Sequence, residues 1–235
     1  MRRLAHAPVS APRAKPLKRP SQARARFTVQ AIYDAFVRIW QAQGWERLTT
    51  RSVALETGIS VGTLYEYFPN KQALLSGYVR HSMDMLLAAI EKQVVQAIDA
   101  PWQERLHHLL RLTLGIDAPE LSYYDARMLG LEHQIAELKH HRRVHDEIFA
   151  AWSKALNACA DLPQPPSART VHTLFLSAFG ARRYLLLVNA DEATARAWAV
   201  ELERQCRLVL SAPSRPHPSQ RAFSSPARSE QAPRE

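Results

Sequence analysis

Apolar residues recur at helical spacing along most of this chain, and no run alternates apolar with polar between turn residues. Helices are therefore expected and strands are not. The first stripe, Ile32, Ala35, Phe36, Ile39 and Trp40, predicts a helix from Arg24 to Gln43 that stops at Gly44. From Leu48 to Leu75 the pattern shortens to LTTRSVALETGISVGTLYEYFPNKQALL. Thr49 is a good N-cap for a short helix whose apolar side is Val53, Ala54 and Leu55. Gly58 follows where that helix must stop, because glycine reaches the left-handed conformation without a Cβ clash. Ser60 caps a second helix, Val61 to Tyr67, with Leu64 and Phe68 four apart on one face. Pro69 ends it, and Asn70 caps a third that opens with Lys71 and buries Leu74 and Leu75. Trp45 and Leu48 are expected to fold back over these pieces, completing a three-helix helix-turn-helix unit.

The helix opened by Lys71 continues through Tyr78, Ser82, Met85, Ala89 and Gln93 to about Ala97, long enough to act as a rigid lever. Pro101 suits the start of a helix reaching Gly115. Pro119 is expected to start another that breaks at Gly130, and a long segment runs from Leu131 to Ala160 with Ile135, Leu138, Ile148, Phe149 and Trp152 as apolar members. The proline-rich loop Leu162 to Pro166 ends it. Two final helices, Ser167 to Val188 and Asp191 to Leu210, are expected as a hairpin. Their stripes are His172, Phe175, Phe179, Arg182 and Leu186 on the first, and Ala195, Trp198, Leu202, Cys206 and Val209 on the second. Both carry more apolar surface than one flank can use.

With 235 residues, 46% hydrophobic and 23% charged, the chain can bury a proper core. The sequence predicts no membrane-spanning run and no secretory signal, and Cys159 and Cys206 form neither a disulfide framework nor a metal pattern. A cytoplasmic location is the expectation. Charge is distributed unevenly. Residues 1–80 carry 13 Lys+Arg against 4 Asp+Glu, a net of +9, and residues 81–235 carry 18 against 18. The whole excess sits in the third that holds the helix-turn-helix, the electrostatic footprint of a nucleic-acid surface. Residues 1–22 are basic, rich in Pro and Ala and free of acid, and read as a disordered arm, either a solvated tail or an extra phosphate contact. Residues 211–235, rich in Ser, Pro and Arg, read as a disordered tail.

The polar groups of the helix-turn-helix point the same way. Ser60, Gly62 and Thr63 open the second short helix, where free N–H groups and the helix dipole favour phosphate. Val61 and Thr63 are small enough to approach base edges in the major groove. Tyr65 and Tyr67 offer hydroxyls, Arg51 a charge in the first helix, and Lys71 a charge at a helix start that the dipole disfavours without a nearby anion.

This segment resembles the TetR family of bacterial regulators. The family pattern stands here as Thr49, Val53-Ala54, Gly58-Ile59-Ser60 and Gly62-Thr63-Leu64-Tyr65-Glu66-Tyr67-Phe68-Pro69-Asn70-Lys71, then Leu74. The resemblance implies that Thr50, Tyr65, Tyr67 and Lys71 hold phosphates and that Arg51, Val61, Gly62 and Thr63 meet base edges. Val61 departs from the Lys or Gln that many members carry, so readout there is expected to be apolar. The implied fold is all-α, with a helix-turn-helix DNA-binding domain over residues 23–70 and a larger helical ligand-binding and dimerisation domain over residues 71–210. The implied partners are a double-stranded DNA operator, a small-molecule effector and a second copy of the chain held through the last two helices. The expected activity is repression released by an apolar or aromatic effector, with a ligand-independent DNA-binding regulator as the alternative.

Candidate effector-lining residues are Trp102, Leu106, Leu110, Tyr123, Tyr124, Met128, Phe149, Trp152, Phe175 and Phe179, although aromatics at this spacing also suit a plain core. His133, Glu137, His141 and His145 recur every four residues; a solvated stripe with Glu137 paired to histidine is expected there, and no metal or cofactor. Seven glycines supply no G-x-G-x-x-G or phosphate-binding loop, and no nucleophile sits beside a placed base, so an enzyme is not expected.

Overall fold

A computed structural model describes residues 23–212, so the expected arm over residues 1–22 and the tail beyond Ala212 lie outside it. Ser211, expected in the tail, is the last residue of a helix. The described residues form ten α-helices and no strand: α1 (Ala23–Arg47), α2 (Thr50–Thr57), α3 (Val61–Tyr67), α4 (Lys71–Ile90), α5 (Trp102–Leu114), α6 (Ala126–Gly130), α7 (Glu132–Ile135), α8 (Leu138–Asn157), α9 (Ala168–Leu187) and α10 (Glu192–Ser211). None is long and apolar enough to cross a membrane.

α1 follows its stripe and kinks at Gly44 (φ 75°, ψ 178°), a conformation that strains any residue with a Cβ. The kink turns Trp45 back against the head's core, and Leu48 is fully buried. That core gathers Ile32, Phe36 and Trp40 of α1, Val53 and Ala54 of α2, Leu64 of α3, and Leu74, Leu75 and Tyr78 of α4. The first two turns of α4 thus belong to the head. Fully burying each such side chain stabilises by about 1.5–3 kcal/mol, enough to fix the short helices that propensity alone would leave frayed.

α4 ends in a π-helical turn, Glu91–Val95, rather than continuing as α-helix to Ala97. Arg105 of α5, 2% exposed, accounts for it. Its guanidinium donates to the carbonyls of Val94 (2.7 Å), Val95 (3.1 Å) and Ala158 (2.7 Å). Two helix C-termini, each carrying partial negative charge, thereby hold one buried cation without a carboxylate. The body's core packs α5, α8, α9 and α10 around Leu106, Trp152, Phe175 and Cys206. Trp152 Nε1–H donates to Thr113 Oγ1 at 3.0 Å, so the buried indole is satisfied.

Two expectations fail between α5 and α8. Pro119 starts no helix; residues 116–125 are irregular, and α6 begins only where the Asp125 side chain accepts from Met128 N–H at 2.9 Å. Leu131 to Ala160 is not one segment either. Ala136 is extended (φ −126°, ψ 130°), which separates α7 from α8. His133 therefore stands on a different helix from His141 and His145, and the four-residue stripe does not form one face. Glu137 is the N-cap of α8, its N–H donating to His140 Nδ1 at 2.9 Å.

The irregular stretch has a purpose in the packing. Trp40 Nε1–H donates to Asp125 Oδ2 (3.0 Å), Tyr78 O–H to the Tyr123 carbonyl (2.6 Å), and Arg127 lies over the Trp40 ring (5.4 Å). Met128 is fully buried in the head's core. A helix starting at Pro119 would have to give up this plug between the two halves of the molecule.

Candidate nucleic-acid interface

The α2–turn–α3 unit is fixed mostly by contacts within three or four residues. Thr49 Oγ1 accepts from Ser52 N–H (3.0 Å) and Ser52 Oγ accepts from Thr49 N–H (3.0 Å), a reciprocal cap worth about 1 kcal/mol. Gly58 takes the left-handed conformation (φ 75°, ψ 22°) and its N–H closes α2. Ser60 Oγ accepts from Thr63 N–H (3.0 Å) and lies 2.8 Å from Thr63 Oγ1. Packing sets the angle between the helices, because Leu64 and Phe68 seat α3 on the head's core.

This arrangement leaves one face of α2 and α3 open. Arg51, Ser60, Val61, Gly62 and Tyr65 are exposed there, and Thr63 is half-buried. Among the described residues Arg51 makes no ion pair. Thr49 is exposed but its hydroxyl serves the cap; Thr50 is buried and donates through Oγ1 to Tyr65 Oη at 3.2 Å. A phosphate at Thr50 would have to share that hydroxyl. Tyr67 is half-buried against the head's core. Lys71 corrects an expectation: no anion is needed to keep it at a helix start, since Nζ donates to the Trp45 carbonyl (3.3 Å) and sits 4.4 Å from the Trp45 ring centroid.

The ten candidate effector-lining residues do not converge on one space. Trp102, Leu106, Leu110, Trp152 and Phe175 are buried in the body's core, with Phe149 and Phe179 packed beside them. Met128 is in the head's core with Tyr124 against it, and Tyr123 is 37% exposed. Two open clefts lie elsewhere. One of about 190 Å³ runs between α9, α10 and the end of α5, lined by Leu114, Ala181, Trp198, Glu201, Leu202 and Gln205. The other, about 350 Å³, sits at the head–body junction among Asp34, Tyr78, His81, Glu120 and Tyr123. Tyr123 is the one candidate that lines either of these two.

On the last two helices the stripes read from the sequence divide. His172, Phe175, Phe179 and Arg182 turn toward the body. The opposite side of α9 exposes Leu176 (47%), Gly180 and Tyr184 (54%), and the C-cap Val188 (48%) continues the spacing of four. α10 buries Cys206 and Leu210 and exposes Trp198 (43%), Leu208 (59%) and Val209 (46%). The Tyr184 and Trp198 rings stack 5.9 Å apart across the pair.

Sequence reasoning missed the junction group of Trp40, Asp125 and Arg127. Nothing local to Asp125 signals a tryptophan 85 residues away. Burial opposes ionisation of Asp125, yet hydrogen bonds from Trp40, the Met128 N–H, Arg127 and Tyr123 hold its carboxyl below the usual aspartate range.

An all-helical chain with a capped, outward-facing helix-turn-helix and a larger helical body is the architecture of a DNA-binding transcription regulator. The family model described as bacterial regulatory proteins of the tetR family matches residues 32–77. The chain is 30% identical over 132 residues to the HTH-type transcriptional regulator BetI of Burkholderia thailandensis, covering 53% of this chain and 67% of that protein. It is 32% identical over 72 residues to the nucleoid occlusion factor SlmA of Haemophilus influenzae, of whose length it spans only 32%, within 31% of its own. Its fold matches a TetR transcription regulator from Haloarcula marismortui (TM-score 0.55, 20% identity, 77% of this chain and 98% of that one). It also matches a TetR-family regulator from Mesorhizobium loti (TM-score 0.56, 15% identity, 80% and 96%). The chain belongs to the TetR family.

Proposed function

We propose that this regulator is a homodimeric repressor whose two heads dock in successive major grooves of an operator duplex. The observation that carries the reading is the open start of α3, where Val61, Gly62 and Thr63 stand exposed or half-exposed beside Arg51, in the basic third of the chain. Gly62 lets the backbone approach a sugar-phosphate chain, and the first turn of α3 carries the positive end of the helix dipole. Val61, Thr63 and Arg51 are the proposed base-reading groups. Tyr65, Tyr67, Thr49, Thr50, Ser60 and Lys71 are the proposed phosphate-holding groups, with Thr50 and Tyr65 acting as one hydrogen-bonded unit.

A pair of heads is proposed because one seven-residue helix reads few bases. The exposed stripe Leu176, Tyr184, Val188, Trp198, Leu208 and Val209 supports pairing through α9 and α10. Gly180 in that stripe has no Cβ to hold a partner helix away. Selecting bound duplexes from a random pool tests the whole reading. Two inverted half-sites with centres about 34–36 Å apart are expected; a single unpaired site, or no enriched sequence, overturns it.

Release by a small apolar or aromatic effector is the proposed switch, with Phe149, Trp152, Phe175 and Phe179 as the surface it would part. Such a compound must raise thermal stability and change operator affinity together, because linkage couples the two. A second reading, a regulator that answers to no ligand, is favoured by one observation: Leu106, Leu110, Trp152 and Phe175 are at most 1% exposed. A compound screen in which stability and operator affinity never move together would decide for it.

A further inference from the structure

Away from the helix-turn-helix, two histidines packed among aromatic rings bring their ring nitrogens together. His145 of α8 and His172 of α9 point their Nε2 atoms at one another across 3.2 Å, with ring planes 73° apart. His145 Nδ1 lies 3.0 Å from Asp146 Oδ1. An ionised carboxylate only accepts, so Nδ1 carries the proton of a neutral His145 and Nε2 presents a bare lone pair toward His172. A carboxylate on the far nitrogen is also the usual outer support of a metal-bound imidazole. Phe149 and Phe175 wall the pair, with ring centroids 4.7 Å from His172 and 5.2 Å from His145 respectively.

We propose that His145 and His172 bind a transition-metal ion of the zinc, nickel or copper class through their Nε2 atoms, joining α8 to α9. At the usual metal–imidazole distance of about 2.0–2.1 Å, nitrogens this far apart subtend about 100° at an ion between them, near both tetrahedral and square-planar angles. Two neutral nitrogen donors do not suit magnesium or calcium, which take oxygen ligands. No group of three or more ligating side chains occurs among the described residues, so water or a small anion fills the remaining positions. Holding an ion this way requires the Nε2 lone pair of each ring, so each imidazole would carry its proton on Nδ1.

The site lies where it bears on the rest of the molecule. α9 carries the exposed apolar stripe on its other side, and α8 reaches α4 through Glu147 and Arg80 (2.5 Å) and the π-helical turn through Lys154 and Glu91 (2.7 Å). The inference does not depend on the DNA reading and stands or falls separately from it.

The test is a zinc titration of the full chain, free of any histidine tag, followed by thermal unfolding with magnesium as the control ion. Zinc is expected to raise the melting temperature of the unaltered chain and of His107→Gln, and magnesium to leave both unchanged. His145→Gln and His172→Gln are expected to lose the zinc-dependent rise. Copper(II) bound to the unaltered chain is expected to show two imidazole nitrogens in its electron paramagnetic resonance spectrum, a readout that survives if a variant folds poorly. No zinc-dependent rise in the unaltered chain, an equal rise in His145→Gln and His172→Gln, or a copper spectrum without two imidazoles overturns the site.

Discussion

In the head, the caps that set α2, α3 and α4 pair residues three apart; in the body, the buried polar groups of the core reach across dozens of residues. Thr49 pairs with Ser52, Ser60 with Thr63, and Asn70 accepts from the Ala73 N–H at 2.8 Å. Arg105 instead meets the Ala158 carbonyl, Trp152 meets Thr113, and Trp40 crosses from head to body to reach Asp125. Charge divides the same way, with 7 Lys+Arg against 4 Asp+Glu in residues 23–80 and 18 against 18 in residues 81–235. The exposed face of α2 and α3 is set by caps and turns, which are local by nature. The body is built from long-range contacts that tie its helices to one another and to the head.

The comparison breaks most visibly in the cores. Phe36→Ala in the head and Trp152→Ala in the body are each expected to cost about 3–5 kcal/mol, read as a shift of the urea midpoint. Met128→Ala sharpens the point, because Met128 belongs to the body's chain but to the head's core. It is expected to cost about 2–5 kcal/mol, and hydrogen exchange should show the loss in α1 and α4 rather than in α9. Protection lost from α9 alone would contradict the plug between the two halves.

Next in size is Arg105→Met, which leaves the carbonyls of Val94, Val95 and Ala158 without their buried donor. A loss of about 1–3 kcal/mol is expected, as for an unsatisfied buried polar group, and Arg105→Lys should recover little because one ammonium cannot span the three. In the head, Gly58→Ala places a Cβ in the left-handed region and is expected to cost about 1–2 kcal/mol, with Thr49→Ala costing about 1 kcal/mol.

How much was legible follows the same division. Caps, the Gly58 stop and the open face of α3 were readable because each signal lies within a few residues of its effect. α9 and α10 were found within a residue or two of their bounds, since Ser167 and Asp191 are caps accepting from Thr170 and Thr194. Their outward faces were not, because periodicity shows that a helix has an apolar side and not which of two sides meets the body. Pro119 suggested a helix start, but the tertiary contacts of Tyr123, Asp125 and Met128 override that local preference. The break at Ala136 defeated the histidine stripe, and the pairing of His145 with His172 spans 27 residues.

The smallest expected effect is on acid stability. The carboxyl of Asp125 is held below its ordinary range when folded, so its contribution is present above the unfolded value of about 3.9 and fades as pH falls toward the folded one. Asp125→Asn should therefore flatten the acid limb of stability below about pH 4, measured by urea unfolding across pH; an unchanged limb removes Asp125 from it.

The central claim is that the exposed face of α2 and α3 grips the duplex, and Arg51 tests it most directly because it is exposed and unpaired among the described residues. The measurement is equilibrium binding of native and Arg51→Ala chains to the selected duplex across a series of salt concentrations. The account predicts an unchanged melting temperature, an affinity loss of about 1–3 kcal/mol per head and relaxed base preference at the contacted position. Full affinity and unaltered sequence preference in the Arg51→Ala chain would contradict it.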